Sequence, residues 1–333
     1  MHALIRVSGL VALLVPAVLF AQMLFAKAVF AQNFPGGKPA RILVGFSPGG
    51  GVDTTARMMA QALGELWGNT VLVENRPGAA GNVANEVTVK SPPDGYTMVL
   101  CNIGSHAITP ARFAKKLSYD PIGDFAFPIM IGGVPNVFMV HPSMPVRSLQ
   151  QYIDYARKAP GKLNFGSSGV GASPHLSIEL WKMMSKINIV HVPYKGASQA
   201  LGDAISGHIE SSVGNLAGAP LAAIKAGRVR ALAVTSGIRS PQLPEVPTFA
   251  ESGVPGYDVT GWYGLCTQSK VPQTILARIN ADGNKILAGP LKQRLEDQGV
   301  TVTPATPEQF LAHVKVEIAK WTKVVADAKL EGD

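Results

Sequence analysis

The chain has 333 residues, of which 47% are hydrophobic and 16% are charged. A disordered protein needs more charge and fewer apolar residues, so this composition excludes disorder and, at roughly 150 residues per domain, predicts about two folded domains. The net charge of +8 is scattered, with no basic block and no interleaved aromatic residues, which argues against a nucleic-acid partner.

Residues 1–31 have the composition of an export signal. Arg6 forms a short basic region, the stretch 7–25 carries no charge, and the small residues Ala28 and Ala31 offer two cleavage positions. This order predicts a secretory signal peptide that is cleaved after Ala28 or Ala31, and a mature protein in the periplasm. A signal anchor is the competing interpretation, because 19 uncharged residues would nearly span a bilayer, but Pro16 favours cleavage.

After this leader, short apolar strands alternate with amphipathic helices, and glycine-rich turns join them. The predicted elements are a strand over 41–46, a helix over 53–66, a strand over 71–74, a helix over 83–90 and a strand over 96–101. This βαβαβ order with short turns predicts a doubly wound parallel sheet.

The same pattern begins again about 120 residues further along the chain. The predicted elements are strands over 136–140, 163–165, 189–192, 209–213 and 229–235, and helices over 149–157 and 174–184, with a third helix that ends at 205. A strand over 262–266 returns to the first unit, and an apolar stripe predicts a packed helix over 307–330. We therefore expect two lobes, with 32–133 and 250–333 in lobe 1 and 134–249 in lobe 2.

Cys101 and Cys266 are the two cysteines, which are too few for a zinc cluster or a disulfide framework. Both end apolar strands of lobe 1, and antiparallel pairing of those strands would make the two residues neighbours. Export permits a disulfide between them. Because a bridge between adjacent strands demands unusual geometry, two buried thiols are the favoured prediction and the disulfide is the alternative.

Two glycine-rich loops, each between a strand and a helix, are the strongest candidates for a binding site. They read S-P-G-G-G at 47–51 and G-S-S-G-V-G-A-S at 166–173. Glycine lets the backbone approach a ligand, and the free N–H groups at a helix start carry partial positive charge. Because open α/β sheets bind ligands at the carboxyl ends of their strands, we expect both loops to face one cleft and to hold a small anion.

Motifs of catalysis and of nucleotide binding are absent from these loops. Neither loop matches the P-loop or the dinucleotide fingerprint, and G-S-S-G-V departs from the nucleophile elbow G-x-S-x-G at its last position. His175 stands on a different side of the helical turn from Ser173, and His106 has no identifiable acid partner. The other histidines lack metal-ligand spacing. The sequence thus predicts a binding protein without catalytic residues, cofactor or metal, and an exported hydrolase is the less favoured alternative.

Several stretches spread over the whole mature chain resemble the Bug, or TctC-like, family of extracytoplasmic solute-binding proteins. They are VGFSPGGGVD at 44–53, VENRPGAAGN at 73–82, PDGYT at 93–97, HVPYKG at 191–196, IKAG at 224–227, ALAVTS at 231–236 and LPEVPT at 243–248. The resemblance implies a two-lobed periplasmic-binding-protein fold of the Venus flytrap type (type II) with mixed, mainly parallel sheets. It also implies capture of a carboxylate by lobe closure and delivery to the large and small membrane subunits of a tripartite tricarboxylate transporter. A sensor kinase is the alternative recipient, and we expect a monomer.

The predicted ligand contacts are amides and hydroxyls of the two loops and their surroundings. The predicted ligand-binding residues are Phe46, Ser47, Gly50, Gly51, Asp53, Ser105, Ser167, Ser168, Gly171, Ala172, Ser173, His175 and Asn215. The family pattern has Asp-Asn where this chain has Gly214-Asn215. Because an ammonium group usually needs a carboxylate partner, Gly214 predicts an amine-free mono- or dicarboxylate ligand, and Phe46 would allow an aromatic one to stack.

Overall fold

A computed structural model describes residues 34–113 and 116–327 of the chain. The predicted signal peptide over 1–31 lies outside the described residues. Within the described ranges, no helix combines the length and the apolar character that crossing a membrane requires.

The first part of the chain forms the predicted βαβαβ unit. Its elements are β1 (Ala40–Val44), α1 (Gly51–Trp67), β2 (Val71–Asn75), α2 (Asn82–Val89) and β3 (Thr97–Asn102). Strand β1 lies between β2 and β3 and pairs with both in parallel. A π-helical turn (Gly104–Ile108) and the short α3 (Thr109–Phe113) follow β3.

Helix α1 shows how the local sequence builds this unit. Val52, Ala56, Met59 and Leu63 recur every three or four residues and are all buried, so one stripe of the helix packs against the sheet. The helix ends at Gly68, whose φ of 59° lies in the left-handed region that glycine adopts without strain.

Strand β4 (Phe125–Val140) is one strand of 16 residues that belongs to both sheets of the molecule. Its first part pairs antiparallel with β9 (Thr260–Gln268) and with β10 (Thr301–Val302). Its last residues, 136–140, pair antiparallel with β7 (Ser211–Asn215) and β8 (Arg230–Val234). The sequence pattern predicted only this second part as strand, so the continuous link between the sheets is a finding of the structure.

The second unit repeats the topology of the first. Its further elements are α4 (Leu149–Lys158), β5 (Asn164–Ser167), α5 (Ser173–Ser185), β6 (Val190–Pro193), α6 (Ala197–Ser206) and α7 (Ala219–Lys225). Strand β5 lies between β6 and β7 and pairs with both in parallel. Across the described strands, four pairings are parallel and five are antiparallel. The predicted two-lobed mixed α/β fold is confirmed, with a larger antiparallel share than the local patterns indicated.

The chain returns from the second sheet to the first near residue 260. Phe249 packs edge-on against Trp181 of α5, and the Tyr257 hydroxyl donates to the Ser177 carbonyl at 2.7 Å. Residues 249–257 therefore contact the second sheet's helices, and only β9 joins the first sheet. The lobe limits 133/134 and 249/250 stay a prediction, and these contacts favour a second limit closer to residue 260.

The C-terminal part of the chain covers the first sheet with helices α8 (Gln273–Leu287), α9 (Leu291–Asp297) and α10 (Pro307–Asp327). The predicted stripe on α10 is confirmed for Phe310, Val314, Trp321 and Val325, which are all buried. Phe310 packs so closely on β9 that a Cβ at Gly264 would lie 2.3 Å from its ring.

Cys101 and Cys266 form a disulfide with their Cα atoms 5.9 Å apart. In the antiparallel β3–β9 ladder, Cys101 lies opposite Gly264 and Cys266 lies opposite Val99. The cysteines are thus diagonal neighbours on one face of the sheet, at a Cα separation that a disulfide accepts. The predicted antiparallel neighbourhood is confirmed, whereas the favoured prediction of two free thiols is wrong.

We expect this bridge to stabilise the fold, because it closes a loop with a sequence separation of 165 residues in the unfolded chain. Replacing both cysteines by alanine should lower the free energy of unfolding by about 2–5 kcal/mol in urea denaturation. Thiol titration of the unfolded, unreduced wild type should detect no free thiol. Two titratable thiols in that experiment would contradict the bridge.

Candidate functional site

The first glycine loop (residues 47–51) is held in shape by a buried carboxylate behind it. Asp53 Oδ2 accepts from the Gly49 N–H at 2.9 Å and from Arg57 Nε at 3.0 Å, and Asn75 Nδ2 donates to Asp53 Oδ1 at 2.9 Å. Burial acts to raise the pKa of Asp53, but these hydrogen bonds outweigh it and hold the pKa below its usual value. Asp53 is therefore an ionised brace for the loop.

The second glycine loop (residues 166–173) is held by two stacked imidazoles. The rings of His175 and His191 are 3.9 Å apart. The Gly171 N–H donates to His175 Nδ1 at 3.1 Å, and the Ser167 hydroxyl lies 2.7 Å from His191 Nε2. Burial lowers the pKa of His175 to about 2 and that of His191 to about 4. Both rings are neutral at neutral pH, which leaves His175 Nδ1 free to accept its hydrogen bond.

The first glycine loop contacts the second unit through the segment that follows β6. The Ser47 N–H donates to the Lys195 carbonyl at 3.3 Å, and the Ser198 hydroxyl donates to the Pro48 carbonyl at 2.7 Å. The structure is thus the closed arrangement, in which the segment after β6 contacts the loop after β1.

A cavity of about 20 Å³ remains between the loops. This volume holds roughly one water molecule. The predicted residues that line it are Phe46, Ser47, Gly50, Gly51, Ser168, Ala172, Ser173 and Asn215. None of the described residues that line it carries a charge.

Five predicted ligand-binding residues do not line this cavity: Asp53, Ser105, Ser167, Gly171 and His175. Four of them make the bracing hydrogen bonds described above, so their polar groups are already used within the loops. The Ser105 hydroxyl donates to the Asn102 carbonyl at 3.4 Å. The structure therefore supports an indirect role for these residues in place of the predicted ligand contact.

The floor of the cavity contains two donors that the sequence analysis missed, Asn102 and Tyr263. They lie directly opposite each other in the β3–β9 ladder. Asn102 Nδ2 and Tyr263 Oη are buried and have no hydrogen-bond partner among the described residues. Burial raises the pKa of Tyr263, so its phenol keeps its proton and can donate. Because a buried unpaired donor is costly, these two groups are positioned to receive an acceptor such as a carboxylate oxygen.

A second, larger space lies beside the cavity, next to the second glycine loop. This groove of about 300 Å³ shares Phe46 and Ser168 with the cavity. Its walls include Ala79 and Ala80 from the first unit and Val170 and Tyr194 from the second. Phe46 and Ser168 thus separate a water-sized cavity from a groove of ligand size.

An exported hydrolase would need an accessible nucleophile. The structure shows Ser167 in contact with His191, but this serine is not accessible. Ser167 is completely buried, and its hydroxyl also donates to the Gly169 carbonyl at 3.3 Å. In the described part of the chain, no carboxylate bonds to His191. A buried serine that braces its own loop has no path to a substrate, so this pair is structural.

Comparison with known proteins agrees with this geometry. The model of the tripartite tricarboxylate transporter family receptor, TctC, matches residues 55–330. The chain belongs to the TctC family. Protein BugT of Bordetella pertussis is 32% identical to this TctC protein over 309 residues, which are 92% of this chain and 94% of BugT.

Two solved structures show the same fold with carboxylates bound. R. palustris Rpa4515 with adipate is 36% identical, with a TM-score of 0.84 over 88% of this chain and 98% of that chain. MatC from Rhodopseudomonas palustris with bound malate is 28% identical, with a TM-score of 0.81 over 86% of this chain and 98% of that chain. The predicted resemblance to the Bug, or TctC-like, family is confirmed.

Closure of this TctC protein depends on the absence of a side chain at Gly51. A Cβ there would lie 2.9 Å from the Ala217 Cβ and 2.9 Å from Tyr263 Oη. We expect Gly51→Ala to hold the lobes apart, and therefore to increase the radius of gyration in small-angle X-ray scattering with a bound carboxylate. Gly202→Ala on α6, where a Cβ meets nothing within 4 Å, is the matched control. Equal radii for the two variants would refute the steric explanation.

Proposed function

We propose that this protein captures a small, amine-free mono- or dicarboxylate in the periplasm by lobe closure and delivers it to the membrane subunits of a tripartite tricarboxylate transporter. The observation that carries the proposal is the uncharged cavity between two glycine loops, with the unpaired donors of Asn102 and Tyr263 at its floor. The adipate and malate bound to the R. palustris relatives support a carboxylate as the ligand class.

The charge of the ligand would be balanced by helix starts, because the cavity wall contains no cation. Helix α1 begins at Gly51 and α5 begins at Ser173, and both residues line the cavity. The N–H groups of a helix start carry partial positive charge, which attracts a carboxylate and disfavours an ammonium group. This arrangement supports an amine-free ligand independently of Gly214.

The number of donors is sufficient for useful affinity. A micromolar ligand requires about 8 kcal/mol of net binding free energy. Hydrogen bonds to a charged group contribute about 1.5–3 kcal/mol each, so roughly four to six donors suffice. Asn102, Tyr263, the hydroxyls of Ser168 and Ser173 and the amides of Gly50 and Gly51 form a set of this size. Because they come from both lobes, all of them reach the ligand only on closure.

Uptake of a dicarboxylate requires the lobes to move apart or Phe46 to shift. The closed cavity of about 20 Å³ fits only part of such a ligand, whereas the neighbouring groove offers about 300 Å³. We infer that one carboxylate occupies the cavity and that the rest of the ligand extends past Phe46 towards the groove.

Loss of the Tyr263 hydroxyl provides a direct test of the proposed site. A thermal-shift screen with carboxylates first identifies a ligand, since ligand at 100 times its Kd stabilises the protein by about 2.7 kcal/mol. Tyr263→Phe should then weaken binding of that ligand about 10- to 100-fold in calorimetry, because one hydrogen bond to a charge is lost.

Tyr257→Phe is the matched control, because the Tyr257 hydroxyl donates to the Ser177 carbonyl. This control should lower stability and leave the affinity unchanged. If no carboxylate shifts the melting temperature, the proposed function fails. If Tyr263→Phe binds the carboxylate with the same affinity as the wild type, the assignment of Tyr263 as a ligand contact is wrong.

Position 214 tests the preference for amine-free ligands. A Cβ at Gly214 would lie 3.4 Å from the Ala197 Cβ, an ordinary contact, and Ala197 lines the cavity. We expect Gly214→Asp to raise the affinity for aspartate relative to succinate in calorimetry, because it supplies an ammonium partner. Gly214→Asn, with the same shape and no charge, should leave the ratio unchanged. A wild type that binds aspartate more tightly than succinate would disprove the preference.

A further inference from the structure

A separate cluster of three metal-ligating side chains lies at the end of the β3–β9 ladder. The Sγ atoms of Cys101 and Cys266 and a ring nitrogen of His106 lie within 4.8 Å of one another. All three residues are completely buried. We call this group the Cys–Cys–His cluster. It does not line the carboxylate cavity.

Of the two ring nitrogens of His106, Nδ1 has a hydrogen-bond partner and Nε2 has none among the described residues. The Ser105 hydroxyl lies 3.4 Å from the Asn102 carbonyl, to which it can donate, and 2.9 Å from His106 Nδ1, from which it accepts in the tautomer that has the proton on Nδ1. In that tautomer, Nε2 carries a lone pair. His106 Nε2 is buried and has no hydrogen-bond partner among the described residues. A metal-binding histidine has this same arrangement, with one nitrogen fixed by a hydrogen bond and the other facing the ion.

The surroundings of His106 keep water away from this lone pair. The imidazole packs edge-on against Phe125 at 4.8 Å and against Phe127 at 6.3 Å between ring centres. His106 lies in the π-helical turn Gly104–Ile108, and such turns occur frequently at functional sites. An unpaired polar nitrogen in a dry environment is costly unless a ligand satisfies it.

We propose that the reduced chain binds one Zn²⁺ ion through Cys101, Cys266 and His106. Two thiolates and one imidazole are ligands that zinc prefers, and a Cys₂His set leaves one coordination position open. Two thiolates with Zn²⁺ carry no net charge, which suits a buried site. In the oxidised chain the disulfide occupies both sulfur atoms, so the site exists only after reduction.

The required chemistry has two balanced steps. A dithiol reductant transfers two electrons and two protons to the disulfide and is itself oxidised to a disulfide, which leaves thiols on Cys101 and Cys266. Zn²⁺ then displaces both thiol protons to solvent as the two Zn–S bonds form, and a ring nitrogen of neutral His106 coordinates without losing a proton. Histidine spacing in the sequence does not predict this site, because Cys266 comes from β9, which is far along the chain from Cys101 and His106.

Cobalt is the probe that tests the site, since Co²⁺ bound to thiolate gives a charge-transfer absorption band. Full-length protein is reduced with dithiothreitol, freed of the reductant under nitrogen and titrated with Co²⁺. We expect one equivalent to bind with the thiolate band and one equivalent of Zn²⁺ to displace it, whereas the oxidised protein shows no band. His106→Phe keeps both cysteines and should weaken Co²⁺ binding at least about tenfold, because even an outer-shell partner contributes that much.

His313→Phe is the matched control, because His313 Nε2 is also buried and unpaired among the described residues but belongs to a different helix. This control should bind Co²⁺ like the wild type. The proposal is overturned if reduced wild type shows no thiolate band, or if His106→Phe binds Co²⁺ as tightly as the wild type. Loss of the native circular dichroism on reduction would also overturn it, because the cluster would then not exist in a folded chain.

Discussion

The close approach of two backbone loops is the constraint on which the rest of the site depends. A Cβ at Gly196 would lie 2.8 Å from the Ser47 Cβ, and a Cβ at Gly104 would lie 3.2 Å from the Ser173 amide nitrogen. Together with Gly51, these positions let one lobe contact the other without a side chain between them. The glycines therefore permit the close contact between the lobes.

The charged and titratable groups stand behind the loops, and the cavity itself is uncharged. Asp53 holds the first loop as an ionised carboxylate, while His175 and His191 hold the second loop as neutral rings. These charged and titratable groups determine the loop conformation, whereas the cavity is lined by uncharged residues that include the starts of α1 and α5. An anion can then bind without the desolvation cost of a buried opposing charge.

The β3–β9 ladder carries both the cavity floor and the disulfide. Asn102 and Tyr263 at one register position form the cavity floor, and the disulfide joins the same two strands from Cys101, next to Asn102, to Cys266, opposite Val99. Strand β4 pairs with β9 on one side of the lobe boundary and with β7 and β8 on the other. The floor is therefore part of a cross-linked sheet.

Local patterns in the sequence determined the alternating strands and helices, the apolar stripe of α10 and the two glycine loops, because period and turn chemistry act over a few residues. The resemblance of several motifs to known proteins indicated the family, and it indicated eight of the residues that line the cavity. Only the tertiary structure decided that Asn102 lies opposite Tyr263, that Cys101 bonds Cys266 and that β4 runs through both sheets. Likewise, Asp53 and His175 were predicted to contact the ligand, whereas in the structure they form hydrogen bonds that hold the loops. Their partners are determined by the packing of the folded chain. The physical reason is that strand register between distant segments is set by the assembled core and leaves no trace in the spacing of neighbouring residues.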